Sequence, residues 1–216
     1  MATPANEIPT ADTRERAPLR FVTAASLFDG HDAAINIMRR LIQAQGVEVV
    51  HLGHNRSVED VVRAALQEDA DGIALSSYQG GHTEYFKYMV DMLRERGASH
   101  IRVFGGGGGT ITPEEIRELQ DYGVERIYHP NDGMQMGLVA MIEDLVRRTK
   151  AAEVPASDTP ATAQVPIDDE IAVGKMLTAI EEGRFDETQL ATLRKQWQLA
   201  GGRTPVIGLT GTGGAG

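Results

Sequence analysis

Between Leu19 and Lys150 the chain alternates short runs rich in Val and Ile with longer segments whose apolar residues return every three or four positions. Short β-branched runs bounded by turn residues read as buried strands. The longer period is that of helices packed against them, so the alternation predicts an α/β fold with a parallel sheet. The predicted strands are Leu19–Ala25, Val47–Leu52, Gly72–Ser77, Ile101–Phe104 and Arg126–Tyr128. Helices are predicted over Asp32–Ala44, Ser57–Glu68, Thr83–Arg96, Pro113–Tyr122 and Gly133–Arg148. Ser57 with Asp60 three residues on supplies an N-cap and an acidic first turn, and Thr112 precedes Pro113 at a first helical position. Five βα units without a sixth favour the flavodoxin-like strand order 2-1-3-4-5, whose crevice opens at the carboxyl ends of strands one and three.

Outside this region the pattern changes. Residues 1–18 read as a flexible N-terminus and 19–150 as one domain. Residues 151–166, Ala/Pro/Thr-rich and without period, read as a linker. A helical segment follows over 167–203, with helices at Ile167–Glu182 and Asp186–Leu199. Thr204–Leu209 then reads as a strand running into Gly211, Thr212, Gly213, Gly214, Ala215 and Gly216. A phosphate-binding loop of the form G-x-x-x-x-G-K-[ST] would continue with Lys and then Ser or Thr.

Composition narrows the chemistry. The chain has 216 residues and a formal net charge of -10, and no Lys/Arg-rich run offers a local exception, so nucleic acid is not an expected partner. The absence of cysteine excludes disulfides, thiolate metal sites and a cysteine nucleophile. No apolar run approaches the roughly 20 residues that span a bilayer, and the N-terminal residues lack a signal-peptide core. A cytoplasmic protein with no membrane partner is expected.

The unusual residues fall after strands one, three and four, on one edge of the expected sheet: Phe28-Asp29-Gly30-His31-Asp32, Ser76-Ser77-Tyr78 with Gly80, and the run Gly105, Gly106, Gly107, Gly108 and Gly109. In Asp29-Gly30-His31 the carboxylate can take a hydrogen bond from one ring nitrogen and leave the other free, fixing the tautomer and raising its basicity as a ligand. Taken alone, an Asp-x-His is more often a helix cap beside a surface histidine. Glycines let the backbone approach a bulky ligand, although a flexible loop uses them too. The run lacks the G-x-G-x-x-G form of a dinucleotide site. The hydroxyls of Ser76, Ser77 and Tyr78 can bond a ligand's polar edge or serve the turn. His51 and His54 read as surface or ligand-edge groups and His82 as a helix start, while His100 and His129 carry no pattern.

Together the three clusters resemble the cobalamin-binding domain of methylmalonyl-CoA-mutase-type enzymes, with its signature D-x-H-x-x-G, S-x-L and a G-G pair. Ala34 stands here in place of the last glycine of the first element and Tyr78 in place of the leucine. The wording FVTAASLFDGHDAAINIMRRLIQ, SSYQGGH and FGGGGGTITPEEI is closer still to the N-terminal region of the fused isobutyryl-CoA mutases. That resemblance implies adenosylcobalamin bound base-off/His-on, with His31 as the lower axial ligand of cobalt, Asp29 orienting it and the nucleotide tail entering the domain. It further implies that residues 204–216 open a truncated GTPase domain using GTP and Mg. The complete protein would add that chaperone domain and an acyl-CoA-binding barrel, would assemble as a homodimer and would interconvert isobutyryl-CoA and n-butyryl-CoA, with this chain alone binding cofactor only. A non-catalytic cobalamin carrier or sensor is the alternative, and a flavin protein or phospho-receiver is a more distant one.

Overall fold

Leu19 and the strand after it are apolar on both faces, and a parallel strand can be so only if helices cover both sides of its sheet. The computed structural model describes residues 18–152 and 168–201 with Val165, Pro205, Ile207 and Gly208. In it β1 (Arg20–Ala25), β2 (Glu48–His51), β3 (Gly72–Ser76), β4 (Arg102–Gly106) and β5 (Arg126–Tyr128) form one sheet. The order is β2-β1-β3-β4-β5 and every pairing is parallel, as the alternation predicts. The connecting helices are α1 (Asp32–Ala44), α2 (Val58–Gln67), α3 (His82–Glu95), α4 (Pro113–Tyr122) and α5 (Pro130–Ala151).

The helix starts follow from local chemistry. Ser57 and Thr112 each accept the N–H of the residue three on, and the side chains of Asp60 and Glu115 return to the cap N–H, so both helices open with reciprocal capping. The fifth helix departs from the expected Gly133 start. His129 caps it through Nδ1, which accepts the Asn131 N–H at 3.2 Å, and the fixed φ of Pro130 suits a first helical position. The helix is broken at Gly137, whose φ of 80° and ψ of 157° are open only to glycine.

The two sheet faces pack differently. Val22, Ile73, Leu75 and Val103 join α2, α3 and α4 in one core with Val61, Phe86, Met89 and Leu119. On the other face Phe21, Ala74 and Phe104 meet Ile42 of α1 and Met141, Ile142 and Leu145 of α5. Two further helices, α6 (Glu170–Glu181) and α7 (Glu187–Gly201), close on a small cluster of Met176, Ala179, Phe185 and Leu193. They are seated on the sheet domain. Arg63 of α2 holds both carboxylate oxygens of Glu170 at 3.0 and 3.1 Å, and a Cβ on Gly174 would lie 2.3 Å from the Gln67 carbonyl oxygen.

Residues 1–17, nearly all of the expected linker, and the glycine-rich stretch Gly211, Thr212, Gly213, Gly214, Ala215, Gly216 lie outside the described residues. Of the expected strand over 204–209, the described positions Pro205, Ile207 and Gly208 belong to no strand.

Candidate cofactor site at the carboxyl edge of the sheet

One row of the ladder, Ala25, Ser76, Gly106 and Tyr128, crosses the carboxyl end of four strands. The pairing runs one step further, Ser26 N–H donating to the Ser76 carbonyl and Ser77 N–H to that of Gly106. The loops after β1, β3 and β4 therefore leave the sheet side by side, as the topology demands at a point where strand order reverses.

In the first loop Asp29 is 0% exposed and His31 61% exposed. His31 Nδ1 lies 2.8 Å from Asp29 Oδ1, which also accepts the His31 N–H at 2.9 Å, while Asp29 Oδ2 accepts the Tyr78 N–H at 2.8 Å. Burial would raise the Asp29 pKa, but the bonds from the His31 N–H, the Tyr78 N–H and the imidazole outweigh it and hold the group below the ordinary carboxylate value. An ionised carboxylate only accepts, so the proton sits on His31 Nδ1 and the Nε2 lone pair is available. The helix α1 starts after His31, which makes no side-chain cap bond among the described residues, and Asp29 accepts the His31 N–H one residue ahead of the helix. Phe28 beside it is 79% exposed in the left-handed region at φ 64°, its N–H held by Asn55 Oδ1 at 2.9 Å. The Asp32 side chain lies outside the described part of the structure.

Behind the row lies a cavity of about 360 Å³ between the sheet, α1 and the broken start of α5. Ser76, Tyr78, Gly105, Gly106, Gly107 and Gly108 line it, together with groups the sequence reading did not single out: Ala34, Ile35 and Met38 of α1, Tyr128, His129 and Leu138. Phe28, Asp29, Gly30 and His31 stand outside it, and Gly80 is an exposed turn residue that does not line it. Tyr78 belongs to both neighbourhoods, since its ring centroid is 5.1 Å from that of His31.

The glycines divide by cause. A Cβ on Gly105 would lie 2.4 Å from the Phe86 ring, and one on Gly107 would lie 2.0 Å from the Ser77 carbonyl oxygen. These two are glycine because the protein itself fills the space. Gly106 has room for a Cβ, with nothing nearer than the Tyr128 carbonyl oxygen at 3.5 Å, so its bare backbone serves the cavity side.

The two serines part as well. Ser26 Oγ donates to Ser77 Oγ at 2.9 Å, a buried pair tying two loops together, whereas Ser76 Oγ is buried with no hydrogen-bond partner among the described residues. A buried hydroxyl in that state is costly unless something completes it. His51 closes against Thr23 at 2.9 Å, and His82 opens α3 with Nε2 3.3 Å from Glu115.

An apolar cavity with one orphan hydroxyl and bare glycine backbone, beside an imidazole whose outer nitrogen is free, defines a corrinoid-binding domain of flavodoxin-like fold. Residues 19–138 match the B12 binding domain family, and the chain belongs to it. Over 198 residues the chain is 59% identical to the fused isobutyryl-CoA mutase of Cupriavidus metallidurans, covering 92% of this chain and 18% of that protein. It is 53% identical over 208 residues to the one of Geobacillus kaustophilus, covering 94% and 19%. The chain thus spans about a fifth of the length of these curated relatives. It is also 30% identical over 113 residues to the 2-hydroxyisobutanoyl-CoA mutase small subunit of Aquincola tertiaricarbonis, covering 52% of this chain and 82% of that protein. A solved cobalamin-binding protein from Desulfitobacterium hafniense shares the fold at 21% identity and a TM-score of 0.51, over 61% of this chain and 59% of that one.

Proposed function

We propose that this chain is the adenosylcobalamin-binding module of an acyl-CoA mutase, with His31 as the lower axial ligand of cobalt. The observation that carries the assignment is the buried Asp29 holding His31 Nδ1 at 2.8 Å, which leaves Nε2 unbonded among the described residues, beside the Tyr78 that lines an apolar cavity. A carboxylate bonded to the far nitrogen of a ligating imidazole fixes the ring and strengthens the metal bond. The cavity fits the displaced nucleotide tail: a flat aromatic base suits Ala34, Ile35, Met38 and Leu138, the bare backbone of Gly106 allows close approach, and Ser76 Oγ needs a polar partner. Phe28 and Gly30 stand on the His31 side, where the corrin would lie.

When bound, adenosylcobalamin supplies radical chemistry by homolysis of its cobalt–carbon bond, the chemistry a 1,2 carbon-skeleton rearrangement needs. These residues contribute binding, orientation and a fixed imidazole tautomer. Interconversion of isobutyryl-CoA and n-butyryl-CoA belongs to the longer protein whose relatives bear that name, with an acyl-CoA-binding barrel, a GTPase chaperone domain using GTP and Mg, homodimeric assembly and a cytoplasmic setting. No described helix is long and apolar enough to cross a membrane.

Spectrophotometric titration with adenosylcobalamin tests the axial role. The parent chain is expected to give the base-off/His-on spectrum and His31→Ala to lose it. The same spectral change in both proteins would remove His31 from the metal.

A further inference from the structure

The two halves of the site meet at one residue. Tyr78 donates its N–H to Asp29 Oδ2 at 2.8 Å, lies with its ring centroid 5.1 Å from the imidazole at an interplanar angle of 35°, and lines the cavity. Its ring is bounded on another side by the glycine loop: a Cβ on Gly108 would come within 2.5 Å of Tyr78 Cε1, and Gly108 takes a φ of 58°. Three loops, those after β1, β3 and β4, therefore converge on a single aromatic side chain, at the position where the family signature has leucine.

We propose that Tyr78 is a positioning residue for His31, confining the imidazole in the cofactor-free protein so that the ring is set before cobalt arrives. The physical requirement is plain. His31 is mostly exposed and its ring makes one hydrogen bond, to Asp29, a contact that sets the Nδ1–Oδ1 distance but leaves one combination of the two side-chain torsions free. A second contact off that direction is needed to define the ring plane, and the Tyr78 face supplies it at a separation usual for tilted aromatic pairs. Leucine could keep the backbone bond to Asp29 Oδ2 while losing the flat face. The stacking face is the same without the hydroxyl, so phenylalanine should serve equally well. Gly108 supports the same function from outside, because any side chain there pushes the Tyr78 ring.

The inference rests on the axial role of His31, and the experiment separates the two. Relaxation of the His31 Cε1–H group is measured in the cofactor-free chain labelled with ¹³C-histidine, the signal being assigned by its loss in His31→Ala. Parent and Tyr78→Phe should show one ordered ring; Tyr78→Leu and Gly108→Ala should show a mobile one. Removing the aromatic contact should also weaken adenosylcobalamin binding roughly two- to tenfold, with the Tyr78→Phe affinity unchanged. Should Tyr78→Leu fail to fold, Gly108→Ala carries the measurement, since it leaves Tyr78 in the chain and pushes on its ring, at the cost of backbone strain at φ 58°. A His31 ring as ordered in Tyr78→Leu or Gly108→Ala as in the parent overturns the proposal. If His31→Ala instead titrates like the parent, the axial role falls and takes the positioning proposal with it, even where the ring order responds to Tyr78.

Discussion

The two faces of this sheet are made from the same five strands and differ in what they do. Against α2, α3 and α4 the side chains close completely, with Phe86, Met89 and Leu119 at or near zero exposure. Against α1 and α5 the packing stops short: Ala34 is small, α5 breaks at Gly137, and a cavity remains that reaches the carboxyl edge. The closed face supplies cohesion and the open one supplies a site.

Substitutions on the closed face should therefore act on stability, and the largest effect belongs there. Phe86→Ala removes a wholly buried ring that abuts the Gly105 backbone, and should cost about 3–5 kcal/mol, read from urea unfolding of the cofactor-free chain. A cost under about 1 kcal/mol would mean that the closed face is not what holds the fold. On the open face the sign should reverse. Ser76→Ala removes a buried hydroxyl that has no partner, so the cofactor-free chain should become more stable by about 1 kcal/mol, while cobalamin affinity falls roughly two- to tenfold. Loss of stability and unchanged affinity would make Ser76 a scaffold residue like Ser77.

The smallest effect concerns pH. Asp144 on α5 is buried, which would raise its pKa, but bonds from Arg148, at 2.8 Å, and the Tyr128 hydroxyl, at 3.0 Å, outweigh this and hold it below the ordinary carboxylate value. Such a group contributes stability above its unfolded pKa and loses it as pH falls through the lower folded value. Asp144→Asn should therefore flatten the decline of the urea midpoint between about pH 5 and about pH 3, leaving a shallower slope than the parent. An unchanged slope would assign acid sensitivity to other carboxylates.

The closed face was the easier one to read in the chain. Strand periods, the caps at Ser57 and Thr112 and the absence of a sixth βα unit suffice for the sheet and its order, because each is a local signal. The open face was legible only in part. Asp29-Gly30-His31 announces itself by residue type, but Ala34, Ile35 and Met38 follow the same apolar period as any core helix, and nothing local says that their far side faces a void. The start of α5 was misplaced because the polar Pro130-Asn131-Asp132 reads as loop; the cap that extends the helix is a histidine, a residue with no strong capping preference. The glycine run drew attention for one reason and has two: Gly105, Gly106, Gly107 and Gly108 all line the cavity, but Gly105 and Gly107 are also required by Phe86 and Ser77 within the protein, whereas Gly106 has room for a Cβ. The seating of α6 on α2 depends on Gly174 meeting a carbonyl far away in sequence, which no periodicity encodes.

That seating has a mechanical consequence. With backbone against backbone at Gly174 and both Glu170 oxygens held by Arg63, α6 is fixed to the C-terminal half of α2. The far end of that ten-residue rod, about 15 Å away, opens at Ser57, directly after the turn in which Asn55 grips Phe28 and Arg56 bridges to Ser26. One continuous helix thus runs from the α6 contact to the turn that holds the His31 loop.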